Sequence, residues 1–284
     1  MSNESGEAVS LLRINSPITL TEEIRDFPDL ETCDIIGDLH GCYDELVEML
    51  HLLGHDNLLQ PDLPSLPEST LPRILFVGDL VDRGDRNMDT LFLVYDLCTK
   101  GYARMVVGNH DYRFFRWLQG HEVKIAYGLD RTIAEFNAIA PQERNRWREK
   151  LVEFFEQLPY AIRFDEGESV MVHAAWRPRM KEETEVARIR YYAIYGPSTG
   201  EQTSQGFPVR IDWARTYKGP ERVFFGHQVY LRPYRTPYAI GIDTGCVFGG
   251  SLTALRYPSL ELVSVQSKKA RATYNGPMID PNDD

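Results

Sequence analysis

An α/β fold with parallel strands follows from three features of the sequence. Short apolar runs at residues 34–36, 74–77 and 105–107 alternate with stretches of helical periodicity, a βαβαβ opening that implies right-handed crossovers. Each run ends near a glycine followed by polar side chains, at the strand edge where ligands collect in open α/β sheets. From about residue 160 onward the pattern turns to strands.

Residues 1–20 read as an N-terminal arm, flexible over the first seven residues and a strand or arm over 11–20. Residues 43–53 carry Leu46, Val47, Leu50 and Leu53 at helical spacing, and Gly54 is placed to end that helix. Residues 56–72, rich in Pro, Ser and Asp, form a surface loop longer than most helix-to-strand links. A second helix is predicted over 88–99, closed by Lys100-Gly101, and a third starts at Asp111 and includes Phe114, Phe115 and Leu118. Two more cover 132–138 and 142–157, separated by Pro141. Strands are expected at 160–164, 170–173, 222–225, 239–242, 252–256 and 260–265. The main domain is thus 21–267, and the polar stretch 268–284 reads as a frayed tail.

A chain of 284 residues can bury a full core, and no break in composition divides it. The formal net charge of −11 favours solubility and weighs against a dedicated nucleic-acid groove, which carries a basic stripe. Cys33, Cys42, Cys98 and Cys246 form no C-x-x-C pair, which suggests a reducing compartment and small buried hydrophobes. The acidic N-terminus has no apolar h-region, and no apolar run approaches membrane-spanning length. A cytoplasmic protein with no membrane partner is expected.

The chemistry centres on Gly78-Asp79-Leu80-Val81-Asp82-Arg83-Gly84. Asp79 follows a strand and can hold a metal, and Arg83 can clamp a phosphate in its two-pronged fork. Alone, such a segment is as easily a turn with an ion pair, or a helix cap. Its companions are Gly37-Asp38-Leu39-His40-Gly41, Gly108-Asn109-His110-Asp111, and two isolated histidines, His173 and His227, each after an apolar run. Five loops together offer carboxylate, imidazole and amide donors beside an arginine.

The order GDxHG, GDxVDRG, GNHD and two isolated histidines resembles the metallophosphoesterases of the phosphoprotein-phosphatase group, over residues 35–265. It is nearer the bacterial branch, since the eukaryotic protein phosphatases usually carry Glu where Asp111 stands. Tyr195-Gly196, Thr199-Gly200-Glu201, residues 206–210 and the run from Ile242 to Gly250 resemble two bacterial relatives. These are the bis(5′-nucleosyl)-tetraphosphatases and the phosphatase module of polynucleotide kinase–phosphatase.

The resemblance implies two mixed sheets packed as a sandwich flanked by helices. It implies two divalent ions, Mn²⁺ first, with Fe, Zn, Ni or Co as alternatives. Asp38, His40 and Asp79 would hold one ion, and Asp79, Asn109, His173 and His227 the other. Two ions roughly 3.5–4 Å apart can share the attacking hydroxide and clamp entering and leaving oxygens. Arg83 would grip the phosphoryl group, and His110, oriented by Asp82, would protonate the leaving group. A neighbouring carboxylate can raise a histidine's pKa.

Substrate contacts are expected from Arg83, Asn109, Arg113 and Trp176, with Arg116, Arg177 and the Gly- and Pro-rich residues 195–210 as further candidates. Ala174-Ala175-Trp176 departs from the family's Ala-Gly and smaller residue. Ala175 would strain a turn of positive φ, and Trp176 would narrow a pocket or stack on a base. His51, His55 and His121 carry no motif and are expected on the surface. The expected substrate is a small nucleotide, diadenosine tetraphosphate first. The alternatives are 3′-phosphate and 2′,3′-cyclic-phosphate nucleic-acid ends, and phosphoserine or phosphothreonine in proteins. No G-x-G-x-x-G follows a strand, which argues against a Rossmann protein, and the complete donor set argues against a silent binding module.

Overall fold

A computed structural model describes residues 23–203, 208–274 and 276, so the expected N-terminal arm lies outside the described residues. Along the first half run β1 (Ile24–Phe27), β2 (Cys33–Ile36), α1 (Tyr43–Leu53), β3 (Ile74–Phe76), α2 (Asn87–Thr99), β4 (Ala103–Met105), α3 (Asn109–Leu118), α4 (Leu129–Ala138) and α5 (Pro141–Glu156). Next come β5 (Ala161–Phe164), β6 (Ser169–Val172), α6 (Val186–Tyr195), β7 (Ser198–Gln202), β8 (Pro208–Arg210), α7 (Trp213–Thr216) and β9 (Arg222–Phe225). The last elements are β10 (Tyr234–Arg235), β11 (Ala239–Gly241), β12 (Asp243–Thr244), β13 (Ser251–Tyr257) and β14 (Glu261–Gln266).

Two mixed sheets carry the fold. One is ordered β1-β5-β6-β9-β11-β10, the other β12-β13-β2-β3-β4 with β14 on β13. β2, β3 and β4 pair in parallel, as the βαβαβ pattern predicts, and β13 closes antiparallel on β2. The pleat sends successive side chains to opposite faces. Ile35, Leu75, Met171 and Phe224 share one apolar cluster drawn from both sheets, the filling of the sandwich. Their neighbours Ile36 and Phe76 pack with helix residues such as Leu46, Leu91 and Phe114 on one outer side. Val172, Val223 and Phe225 pack with Ile189, Ala193 and Ala214 on the other.

Local sequence explains the helix limits. α1 buries Leu46, Met49, Leu50 and Leu53, and Gly54 ends it at φ 83°. Pro141 opens α5, where a missing amide proton has no consequence. Seven elements were not legible: β1, α6, β7, β8, α7, β10 and β12. β1 is a short edge strand with polar Arg25 and Asp26 at its centre. α6 buries only Ile189, Ala193 and Ile194, too few for a clear period. Cys33, Cys42 and Cys246 are buried, and all four cysteines are free. His55 is not a surface residue; it is buried with Nε2 2.8 Å from Asp34 Oδ2. Among the described residues no helix is long and apolar enough to cross a membrane.

The polar stretch after residue 267 begins as a packed strap. Ser267 N donates to Gly250 O at 2.9 Å and Arg271 N to Val247 O at 2.8 Å. The Arg271 side chain, 3% exposed, donates to Glu45 Oε2 at 2.8 Å and to Asp85 Oδ1 at 2.7 Å, and the Glu45 side chain is 0% exposed. Composition could not reveal this, because the partners lie 226 and 186 residues away in sequence. Removing one member of a buried pair leaves the other uncompensated. Arg271→Ala is therefore expected to lower stability by about 3–5 kcal/mol in urea unfolding. A loss under about 1 kcal/mol, the range of exposed pairs, would mean the strap is not held by this contact.

Candidate active site

Loops leaving the carboxyl ends of strands in both sheets converge. Asp38 and His40 follow β2, while Asp79, Asp82 and Arg83 follow β3. Asn109 and His110 open α3 after β4, His173 follows β6 and His227 follows β9. Asp79 Oδ2 lies 3.5 Å from both His40 Nε2 and His173 Nε2. His173 Nε2 is 3.0 Å from His227 Nδ1 and 3.2 Å from Asn109 Oδ1. Asp38 accepts from the His227 amide at 3.1 and 3.2 Å. The six residues expected as metal donors thus form one cluster around Asp79. His40, Asp79, Asp82, Arg83 and His227 all have positive φ. That region is sparsely occupied by residues other than glycine, and such strain gathers at functional sites.

Hydrogen bonds fix which ring nitrogens face inward. His40 Nδ1 donates to Val81 O at 2.8 Å, and His173 Nδ1 donates to Val77 O at 2.9 Å. A carbonyl only accepts, so each neutral ring keeps its lone pair on Nε2. Both lone pairs face the Asp79 carboxylate, a repulsive arrangement without positive charge between them. Arg83 places a guanidinium nitrogen against His40 Nε2. His227 Nε2 is buried without a hydrogen-bond partner.

Burial pushes Asp38 well above the ordinary carboxylate range, with repulsion from Asp243 and Asp79 adding to it. Burial likewise pushes Asp79 and Asp243 up to about 6. It holds His40 and His227 well below their ordinary value and His173 down at about 4. Neutral imidazoles, an amide oxygen and crowded carboxylates suit a borderline divalent cation better than Mg²⁺, which prefers oxygen alone. The donor set fits the ions that the sequence motifs imply.

His110 stands beside this cluster, its ring centroid 4.8 Å from that of His40. Its Nδ1 is 2.6 Å from Asp82 Oδ2, and Thr132 Oγ1 donates to Asp82 Oδ1 at 2.6 Å. The neighbouring carboxylate is outweighed. Burial, then the Arg83 charge, holds it well below its ordinary value. Burial also pushes Asp82 up to about 7.

A cavity of about 830 Å³ opens from the cluster. Arg83, Arg113, Arg131 and Arg210 line it with Asp243. Arg113 lines it and donates to Ala126 O at 3.2 Å, whereas Arg116 and Arg177 do not line it. Trp176 is a correction. It is 0% exposed and packs with Ile189 and Ala193 of α6, so it offers no face to a ligand. Ala175 is not among the residues of positive φ, and no strain arises there. Tyr195, Val209 and Arg210 of the expected substrate loop do line the cavity; residues 204–207 lie outside the described residues. Aromatic faces come instead from Tyr127, Tyr195, Phe248 and Tyr274. Asp243 was overlooked, though it follows an apolar strand and precedes Thr244-Gly245, nearly the same device as the other loops.

The family profile of calcineurin-like phosphoesterases matches residues 32–231. The chain belongs to that family. It is 40% identical to an asymmetrical bis(5′-nucleosyl)-tetraphosphatase, PrpE, of Halalkalibacterium halodurans, across 83% of this chain and 94% of the relative. It is 38% identical to the protein of the same name from Geobacillus sp. (strain WCH70), across 82% and 94%. A solved structure of a candidate diadenosine tetraphosphatase superposes with a TM-score of 0.56 at 25% identity, covering 89% of this chain and 99% of the other. The sandwich expected from the motifs is the fold observed, and the chain is a hydrolase acting on phosphate ester or anhydride bonds.

Asp79→Asn separates charge repulsion from metal binding. Its amide would give donors to the two imidazole lone pairs and remove one buried negative charge. The metal-free variant is expected to melt above the metal-free parent, by roughly 2–4 °C per kcal/mol of repulsion removed. Mn²⁺ at 100 times its dissociation constant adds about 2.7 kcal/mol to the parent. The variant should gain far less in calorimetry; an equal gain would remove Asp79 from the donor set.

Proposed function

We propose that this chain is a cytoplasmic Mn²⁺-dependent hydrolase of dinucleoside tetraphosphates. It would split diadenosine tetraphosphate unequally, into AMP and ATP. The observation that carries this reading is the arginine-lined cavity continuous with the donor cluster, which suits a chain of phosphates better than one phosphoryl group. The two PrpE relatives, named for the asymmetrical reaction, support it. The net charge of −11 weighs against long polyanions, whose binding rests on many Lys and Arg contacts.

In this reading Asp38, His40 and Asp79 hold one ion, and Asp79, Asn109, His173 and His227 the other. When bound, two such ions acidify a water and neutralise phosphate oxygens. Arg83 orients the phosphoryl group and offsets charge that develops on its oxygens. Asn109 and Arg113 add contacts to the same phosphates. Asp82, braced by Thr132, fixes the His110 ring and leaves Nε2 to meet the leaving oxygen. A polyphosphate brings negative charge beside Arg83 and so favours the charged imidazole that the free site disfavours. Gly128 closes against Arg83, where a Cβ would lie 2.2 Å from the Arg83 backbone nitrogen.

The deciding experiment compares kcat/KM, with Mn²⁺ at one salt concentration, for diadenosine tetraphosphate, an RNA 2′,3′-cyclic-phosphate end and a phosphopeptide. The tetraphosphate is expected to lead by about tenfold or more, since a matched polar site separates substrates by at least this factor. Preference for the RNA end or the peptide overturns the substrate.

His110→Ala should slow an alkyl phosphate about 10²–10⁴-fold, the usual contribution of a general acid. p-Nitrophenyl phosphate should lose much less, because its leaving group departs without a proton. Equal losses would make His110 a phosphate-binding or structural residue.

A further inference from the structure

The strap ends at the cavity. Arg271 is held by Glu45 and Asp85, its carbonyl accepts from Arg131 Nη1 at 2.9 Å, and both Arg271 N and Ala272 N donate to Val247 O. Buried ion pairs rarely gain stability over apolar packing of the same shape. The consequence of this one is positional: it delivers Ala272, Thr273 and Tyr274 to the cavity wall.

There the Tyr274 ring lies 4.7 Å from the Phe248 ring, centroid to centroid, tilted by 54°. The Arg83 guanidinium stands 5.3 Å from the Phe248 centroid. Arg83, Phe248 and Tyr274 therefore form a continuous series leading away from the phosphate-gripping arginine. Phe248 carries Arg83. Tyr274 lines the same cavity as Arg83, Asp79 and His227, on an anchored segment.

We propose that Tyr274, braced by Phe248 and positioned by the Arg271 strap, forms a nucleoside subsite on which the base of the substrate stacks. This rests on the nucleotide reading above and adds to it the element that recognises the base. Stacking tolerates any base, since each has a π-face, so the subsite selects nucleotides over bare phosphates rather than adenine over guanine. The tyrosine ring is the active part; its hydroxyl is dispensable.

The test uses the full chain loaded with Mn²⁺ and isothermal titration with two non-hydrolysable probes. These are adenosine 5′-methylenediphosphonate and the monomethyl ester of methylenediphosphonate, which carry the same ionisable oxygens and differ by the nucleoside. The parent should bind the nucleoside probe about 5–150-fold tighter, the range of one aromatic stack. Tyr274→Ala should bring the two affinities together, and Tyr274→Phe should restore the difference. For diadenosine tetraphosphate, Tyr274→Ala should raise KM by a similar factor with kcat changed little. A parent with no preference for the nucleoside probe, or an alanine variant that keeps it, overturns the subsite. A parent that prefers the nucleoside probe but does not hydrolyse the tetraphosphate leaves the subsite standing and overturns the substrate instead.

Discussion

One buried carboxylate holds the catalytic loops together. Asp111, 0% exposed, accepts from Asp79 N at 2.7 Å, Leu80 N at 2.8 Å and Gly108 N at 3.0 Å. It thereby joins the loop after β3 to the loop after β4. The two loops touch where neither can carry a side chain. A Cβ on Gly78 would lie 2.5 Å from Gly108 N, and one on Gly108 would lie 2.1 Å from Asp79 Oδ1. This contact is what allows Asp79 to sit in a left-handed backbone with its carboxylate turned to the histidines. His110 N then donates to Asp79 Oδ1 at 2.9 Å, so the first turn of α3 orients the central carboxylate directly. Positions of Asp79, Asn109 and His110 all descend from the same three hydrogen bonds.

Electrostatics follows from that geometry. Packing Asp38, Asp79 and Asp243 into one buried region makes each carboxylate hard to ionise, while burial keeps the imidazoles uncharged. A divalent cation reverses only the first effect. It favours ionised carboxylates, and it requires imidazoles with a lone pair, which the Val81 and Val77 carbonyls already present on Nε2. Half of the protonation state needed for coordination is thus built into the backbone. Arg83, drawn into the same field, fills part of the demand for positive charge through His40 Nε2.

What was legible in the sequence depended on how local the cause was. β2, β3 and the parallel order of the first sheet follow from short apolar runs, and α1 from its own periodicity and Gly54. The clustered carboxylates and imidazoles were legible because each follows a strand end in a short motif. Trp176 was misread since its environment is α6, whose three buried residues carry little period. Asp243 went unassigned because β12 is only two residues long and its role depends on Asp38 and Asp79 across the sheet. Arg271 had no local signal at all: its partner Glu45 is 226 residues away, and the surrounding composition is that of a loose tail.

The division between legible and illegible parts corresponds to a division of labour. Residues 37–111 supply most of the clustered carboxylate, amide and imidazole groups, with Arg83 and His110 beside them, within loops whose left-handed turns restrict the backbone. Cavity walls come from separate stretches, around Tyr195, Arg210, Phe248 and Tyr274, each set by distant packing. Coordination distances and left-handed turns restrict residue type at every position, so the reaction class leaves a dense motif. An arginine facing a phosphate, or a ring facing a base, is satisfied from many backbone positions and directions. In the proposed reading substrate choice is therefore spread over segments with no spacing rule, and its anchor can be an ion pair between residues 226 apart in sequence.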